Sequence, residues 1–152
     1  MDLMSDAFEH NGTIPTRYTC EGDNISPPLS WVGVPEDAES LVLICDDPDG
    51  PSGTWSHWVL YNVSPQIERL QEGIPDDERL SPTGMQGRND FGDSGYGGPC
   101  PPQGSSHRYY FRLFALDKSL DFMPGATRDQ VMGEIQDHIL AQTEFIGHYS
   151  RS

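Results

Sequence analysis

The sequence is nearly devoid of lysine, with Lys118 as the single lysine among 152 residues. Its 24 acidic residues outnumber nine lysines and arginines, which gives a formal net charge of −15. A negative field of this size repels nucleic-acid phosphates and anionic membrane surfaces, so we expect neither as a partner. The acidity is either a surface property of no special role or an adaptation to a high-salt cytoplasm, where the Debye length shrinks to ~3 Å at 1 M salt. We favour the second interpretation and expect a halophilic protein that loses stability when salt is removed.

Long apolar runs are also missing, and none approaches the ~20 residues that a membrane-spanning helix needs. The N-terminal segment MDLMSDAFEH has no basic start, apolar middle or small-residue cleavage site, so it does not resemble a signal peptide. No segment repeats at the periods typical of solenoids and propellers. We therefore expect a soluble cytoplasmic protein that is not membrane-integral, with residues 1–152 forming one domain.

Several motifs of metal sites and enzymes are absent. The chain has no C-x-x-C pair, no H-E-x-x-H, no G-x-S-x-G and no G-x-x-x-x-G-K-[ST]. These absences argue against a structural zinc site, a helical zinc-protease site, a serine nucleophile elbow and a phosphate-binding loop of the nucleotide type. We predict neither a metal nor a cofactor.

The three cysteines form an odd and scattered set. Cys45 lies within an apolar run, which is typical of a small core residue. Cys20 and Cys100 lie in polar segments flanked by glycine or proline, and they could meet in space. A reducing cytoplasm argues for free thiols, but the sequence alone does not decide whether these two cysteines pair.

Three segments rich in β-branched, aromatic and aliphatic residues predict strands: SLVLICD (40–46), HWVLYNV (57–63) and HRYYFRLFAL (107–116). The third is apolar on both faces, which indicates a central strand covered on both sides. A shorter strand is predicted near Leu29. These features predict a mainly β (α+β) protein.

One helix is predicted near the C-terminus. Thr127 and Gln130 have the spacing of a capping box. Apolar residues at helical spacing then continue the pattern to about Gln142: Val131, Ile135, Ile139 and Leu140. We expect this helix to pack over one face of the sheet.

The chemistry of the chain concentrates at the ends of the predicted strands. Asp46, Asp47 and Asp49 follow the first strand, while His57 and His107 each begin another. Acids next to proline and glycine at a strand end are, in the simplest interpretation, caps of a turn. If the strands converge at one edge of the sheet, however, these groups form a pocket in which carboxylates orient imidazoles.

Three chemistries are open to such a pocket. A metal site of two histidines and a carboxylate is conceivable, although no helical spacing supports it. A weak hydrolase could use Cys100 as a nucleophile, or His57 or His107 as a general base. The third possibility, which we favour, is a binding pocket whose walls carry polar and protonatable side chains.

Two segments, DDPDGPSGTWSHWVLYNV and GYGGPCPPQGSSHRYYFRLFALD, resemble the phosphatidylethanolamine-binding protein (PEBP) family, and in particular its bacterial and archaeal Raf-kinase-inhibitor-like branch. TCEGDNISPPLSW and ILAQTEFIGHYSR are similar to the same branch, so the resemblance covers about Tyr18 to Arg151. It implies a central antiparallel sheet packed with a smaller sheet, and helices at the periphery. It also implies a small surface pocket for phosphate-like anions, including phosphorylethanolamine head groups.

The resemblance further implies which residues form the pocket. Other members often have glycine where Cys100 stands, so we expect a narrower rim that carries a thiol. The predicted ligand-binding residues are Asp47, Asp49, Pro51, His57, Cys100, Pro102, His107 and Tyr109.

We therefore predict a non-enzymatic protein that binds a small anionic ligand and that could form a homodimer. The alternative is an inhibitor that docks on a kinase or protease, and a weak hydrolase is a third hypothesis. Asp47 and Asp49 are expected to orient His57, His107 and backbone donors, while Asp46, which alternates away, is expected to be solvated or to cap a turn. Because protonated histidines favour anions, affinity should rise as the pH falls through about 6.5.

Overall fold

The computed structural model describes residues 1–80 and 83–151. Within them the chain forms ten strands and one α-helix, with a short 3-10 turn at Thr16–Tyr18. The strands are β1 (Asp2–Met4), β2 (Gly12–Thr13), β3 (Leu29–Val32), β4 (Ser40–Asp47), β5 (Trp55–Val63), β6 (Arg69–Leu70), β7 (Arg79–Leu80), β8 (Gly84–Gln86), β9 (Ser106–Leu116) and β10 (Ile139–Ser150). The helix, α1, spans Arg128–Ile135.

The strands form two sheets. A seven-stranded sheet has the order β2-β10-β9-β4-β5-β8-β7, and a three-stranded sheet has the order β1-β3-β6. Neighbouring strands are antiparallel except β2, which runs parallel to β10 and makes the large sheet mixed. The mainly β fold with a smaller second sheet is therefore confirmed.

The central position predicted for β9 is also confirmed, because β9 lies between β10 and β4. Tyr109, Phe111 and Leu113 join the apolar cluster on one face, while Phe114 and Leu116 join the cluster on the other. Two-sided burial explains why this strand is apolar at consecutive positions rather than strictly alternating.

Different elements cover the two faces of the large sheet. Leu3 and Trp31, from the three-stranded sheet, pack in the cluster on one face. Val131 and Ile135, from α1, pack in the cluster on the other. Burial on both sides fixes the register of the central strands, since a one-residue slip would exchange the two faces.

The predicted helix begins correctly but is too long. The capping box is present: Thr127 accepts a hydrogen bond from the Gln130 backbone amide, and the Gln130 side chain accepts one from the Thr127 amide. The helix ends at Ile135, and Ile139 already belongs to β10. Pairing of β10 with β9 along nearly its whole length outweighs the short helical pattern, so the prediction to Gln142 is wrong. In the described part of the chain, no helix is long and apolar enough to cross a membrane.

The fold brings the predicted site residues to one end of the large sheet. The antiparallel pairing sets Asp47 of β4 opposite Trp55 of β5, and Asp46 of β4 opposite Tyr110 of β9. The end of β4 therefore lies beside the beginnings of β5 and β9, where His57 and His107 stand.

Candidate functional site

A cavity of about 270 Å³ lies at this end of the sheet. Its walls come from β4, the turn that follows it, and the first residues of β5 and β9, together with two loops. Seven of the eight predicted residues line it: Asp47, Pro51, His57, Cys100, Pro102, His107 and Tyr109. Asp49 is the exception.

Asp47 holds the imidazole of His107. The Nδ1 of His107 lies 2.6 Å from Oδ2 of Asp47, and both side chains are more than nine-tenths buried. An ionised carboxylate only accepts hydrogen bonds, so the proton of this bond belongs to Nδ1. The second carboxylate oxygen accepts a bond from the Asp49 amide at 2.8 Å, which fixes the Asp47 side chain in turn.

His57 is held by a backbone carbonyl instead of a carboxylate. Its Nδ1 lies 2.6 Å from the Gly97 oxygen, and the Gly97 amide donates to the His57 oxygen at 2.9 Å. Because a carbonyl only accepts, Nδ1 carries the proton here too. Burial lowers the pKa of His57, so its ring is neutral at pH 7. The part of the prediction in which an aspartate orients His57 through a direct contact is therefore wrong.

The ring of Tyr109 contacts both imidazoles. Its ring meets His57 edge-on at 5.2 Å between centroids and stacks with His107 at 6.5 Å. The side chain is fully buried, and its hydroxyl has no hydrogen-bond partner among the described residues. Burial, reinforced by the charge of Asp47, raises the pKa of Tyr109, so the hydroxyl keeps its proton. A buried hydroxyl in this state is a hydrogen-bond donor that the protein itself does not use.

Asp49 was predicted to orient both histidines and backbone donors, and the structure pairs it with a backbone donor and with neither histidine. Its carboxylate accepts two hydrogen bonds from the Arg108 guanidinium, at 2.8 and 2.9 Å, and a third from the Arg108 amide at 2.9 Å. These bonds lower the pKa of Asp49 to about 2. Asp49 therefore ties the turn after β4 to the start of β9, and it orients neither histidine directly.

Asp46 was expected to be solvated or to cap a turn, and the structure shows it buried in an ion pair instead. The residue is only 2% exposed, and Nε of Arg128 donates to its Oδ2 at 3.1 Å. A guanidinium nitrogen of Arg112 lies 3.7 Å from the same oxygen. Burial raises the pKa of Asp46, while Arg128 opposes that shift. Strand alternation puts Asp46 on the face opposite Asp47, where α1 covers it instead of water.

The sequence left open whether Cys20 and Cys100 pair, and the argument from a reducing cytoplasm for free thiols is wrong. They form a disulfide across 80 residues of sequence, while Cys45 is free and buried as predicted. The pairing follows from two loops that already lie together, because the Cys20 amide donates to the Pro99 oxygen at 3.1 Å. The rim of the cavity therefore carries no thiol, and Cys100 is not available as the nucleophile of a hydrolase.

Sequence reasoning missed two aromatic residues of the cavity. Trp55 and Phe91 line it, are 38% and 45% exposed, and meet edge-on at 5.6 Å between centroids. Trp55 stands inside the motif that identified the site, so its position next to His57 was an available signal. Phe91 comes from a glycine-rich loop, and only the three-dimensional path of that loop places it here.

A second cavity, of about 480 Å³, lies beside the first and shares Phe91 and Cys100 with it. Its walls carry Asp76 and Asp93. Within residues 1–80 and 83–151, no group of three or more histidine, cysteine or acidic side chains is placed to hold a metal ion. The imidazoles and the unpaired hydroxyl belong to the smaller cavity, which is the candidate site.

The protein has two sheets, and its pocket lies at one end of the central strands of the larger sheet. A known family model describes small β proteins of this class. The model described as phosphatidylethanolamine-binding protein matches residues 4–150. The chain therefore belongs to the phosphatidylethanolamine-binding protein family.

Relatives from archaea and bacteria are similar over almost the whole chain. A UPF0098 protein of Methanothermobacter thermautotrophicus is 54% identical over 151 residues, which cover 99% of both chains. Among solved structures, a PEBP homolog from Chlamydia trachomatis is 43% identical, with a TM-score of 0.90 and coverage of 99% and 97%. YbcL of E. coli, described as a member of the mammalian PEBP family, is 30% identical, with a TM-score of 0.92 and coverage of 99% and 98%.

Proposed function

We propose that this protein is a non-enzymatic binding protein whose pocket takes a small phosphate-like anion, with phosphorylethanolamine-type head groups as the ligand class. The binding residues are Asp47, Pro51, His57, Cys100, Pro102, His107 and Tyr109, and Asp49 holds the turn in place. Family membership supports the ligand class, and the chemistry of the cavity supports the residues.

The observation that carries the proposal is the way both imidazoles are held. Each donates its Nδ1 proton to a fixed acceptor, Asp47 for His107 and the Gly97 carbonyl for His57. A neutral ring in this tautomer has a lone pair at Nε2, and it gains a second N–H when it is protonated. Both rings line the same cavity, as does Tyr109, whose hydroxyl has no hydrogen-bond partner among the described residues.

Binding of an anion is then coupled to a proton. A lone pair at Nε2 repels a phosphate oxygen, so either the imidazole takes up a proton or the ligand brings one as P–OH. Burial opposes the charged form of His57 in the free protein, and a bound anion compensates for that charge. The affinity therefore rises as the pH falls, even though the protein carries a net charge of −15.

The mouth of the cavity favours a ligand with an organic substituent. Trp55 and Phe91 are half exposed there, next to Pro51 and Pro102. A volume of about 270 Å³ is also more than an inorganic phosphate fills. We therefore expect phosphorylethanolamine to bind more tightly than inorganic phosphate.

Calorimetric titration of both compounds tests this function. The protein should bind each one saturably at high salt, and His107→Ala should abolish or strongly weaken binding. Tyr61→Phe is a matched control, because Tyr61 lies on the opposite face of the sheet. Absence of binding by folded protein at both high and low salt would refute the proposal.

The same samples separate binding from hydrolysis. The pair of Asp47 and His107 could serve as a general base, so p-nitrophenyl phosphate should be included as a chromogenic phosphate ester. We expect it to bind without release of nitrophenol. Turnover that disappears in His107→Ala would mean that the protein is a hydrolase and not a binding protein.

A protein partner is the second candidate. Trp55 and Phe91 form an exposed aromatic pair beside the cavity, and such residues are enriched in protein interfaces. A kinase or protease that docks there should be inhibited by the protein and released by phosphorylethanolamine. A location in the cytoplasm and adaptation to high salt remain predictions.

A further inference from the structure

The disulfide stands at the boundary between the candidate site and solvent. Cys20 and Cys100 are both exposed, and Cys100 forms part of the cavity wall. Cys45 is buried in the core and is the one free thiol among the cysteines. A soluble thiol reagent can therefore reach the bridge while the protein remains folded.

The bridge anchors the segment that shapes the pocket, Tyr96–Pro102, hereafter the wall segment. Gly97 of this segment fixes His57 through its carbonyl at 2.6 Å and its amide at 2.9 Å. Cys100 and Pro102 of the same segment line the cavity. Movement of the wall segment would therefore change both the shape of the cavity and the orientation of one imidazole.

Noncovalent contacts also hold the wall segment. The Gly98 amide donates to Oδ1 of Asn24 at 2.8 Å, and the Tyr96 hydroxyl donates to the backbone carbonyl oxygen of Tyr18 at 2.7 Å. These contacts are not covalent, so they open more often once the bridge is cleaved, while the strands behind them keep their own hydrogen bonds. Reduction should consequently loosen the wall segment without unfolding the sheet behind it.

We propose that Cys20–Cys100 is a reversible modification site, a thiol–disulfide switch that sets the affinity of the anion pocket. The oxidised form holds the wall segment in the binding geometry, and the reduced form binds the anion more weakly. The effect on affinity rests on the proposed anion-binding function, whereas the effect on the wall segment does not.

The chemistry is an exchange with a dithiol reductant. A reductant thiolate attacks the sulfur of Cys20, a mixed disulfide forms, and Cys100 leaves as a thiolate. Nη1 of Arg151 lies 4.0 Å from the Cys100 sulfur, so a cation faces the charge that develops there. The second reductant thiol then closes a cyclic disulfide and releases the Cys20 thiolate. Two electrons and two protons pass from the dithiol to the protein.

The negative charge around the disulfide determines which class of reductant reacts with it fastest. Glu21 follows Cys20 in the chain. Both cysteines of the bridge line the second cavity, whose walls also carry Asp76 and Asp93. With a net charge of −15, this surface repels anionic thiols. An uncharged dithiol should therefore reduce the bridge faster than glutathione does, and the difference should shrink as salt is added.

The test uses the full chain, oxidised and then treated with excess dithiothreitol. Thiol titration without denaturant should find two new reactive thiols. Calorimetry with inorganic phosphate should then give a Kd about fivefold or more above that of the oxidised protein, and reoxidation should restore it. The double variant Cys20→Ala, Cys100→Ala should bind like the reduced protein and not respond to dithiothreitol.

Hydrogen exchange at the Gly97 and Gly98 amides gives a readout that needs no ligand. Exchange should be faster in the reduced protein, while β4 and β9 remain protected. A bridge that dithiothreitol does not reduce in the folded protein would overturn the proposal. Reduction that changes neither the exchange nor the Kd would do the same. If neither form binds phosphate, the proposed function fails, and the exchange at these two amides alone decides whether the bridge controls the wall segment.

Discussion

Tyr109→Phe should stabilise the free protein, because it removes a polar group that is buried without a partner. The hydroxyl of Tyr109 makes no hydrogen bond to the described residues, and the side chain is 0% exposed. An unsatisfied buried hydroxyl costs about 1–3 kcal/mol. In a protein of this length, recovery of about 1 kcal/mol raises Tm by about 2–4 °C. Differential scanning calorimetry of the ligand-free variant measures the shift.

The same substitution should weaken ligand binding. A hydrogen bond to a charged group contributes about 1.5–3 kcal/mol, so its loss corresponds to an increase in Kd of about 10- to 100-fold. Calorimetric titration with phosphorylethanolamine measures this increase in Kd. Opposite signs for stability and affinity are expected only where a protein keeps an unsatisfied group for its ligand.

Tyr61→Phe is the matched control. The Tyr61 hydroxyl bonds the Met123 carbonyl and accepts from the Ala126 amide at 3.3 Å, so it is satisfied within the protein. Its removal should lower stability by about 1 kcal/mol and leave affinity unchanged. A destabilised Tyr109→Phe, or one that binds phosphorylethanolamine as tightly as the parent, would refute the role assigned to this hydroxyl.

Further predictions concern charge. Asp47→Asn should weaken anion binding in calorimetry although it removes a negative charge, because His107 loses the carboxylate that fixes its tautomer; tighter binding would contradict the positioning role. Arg128→Gln should destabilise the protein by about 3 kcal/mol in urea unfolding, because it leaves Asp46 buried without its closest cation. Arg112→Gln should cost less, since its guanidinium is 3.7 Å from Asp46; equal losses would be evidence against this ranking. Raising sodium chloride from about 0.1 M to about 1 M should increase Tm, since screening weakens repulsion among the surface acids, and a flat or falling Tm would remove the argument for salt adaptation.

Strand positions could be predicted from the sequence because burial leaves a local signal. β4 and most of β5 are buried on both faces, and so is β9 from Leu113 onward, so each strand contains a run of consecutive apolar residues. β10 gives a weaker signal, because its first half is only partly covered. Its partner β9 decides its conformation, and pairing between strands separated along the chain is not visible in a local pattern.

The site was predictable where its residues stand at strand ends. Asp47, His57 and His107 meet because three adjacent strands place them at one end of the sheet. The partners of Asp49 and His57 were not predictable, since Asp49 lies in the turn after β4 and Gly97 lies in a loop, and no local pattern specifies the course of either. The disulfide was missed for a related reason. Its two loops approach through backbone contacts, and the expectation of a reducing compartment argued against it.

The central claim is that the pocket binds an anion together with a proton, and one measurement tests it most directly. Inorganic phosphate is titrated calorimetrically into the oxidised protein from about pH 5.5 to about pH 8, in pairs of buffers with different ionisation enthalpies. His107→Ala serves as the comparison. The proposed coupling predicts that affinity falls with rising pH and that binding near pH 7 takes up protons from the buffer. Affinity that is independent of pH, with no proton uptake and no loss in His107→Ala, would contradict it.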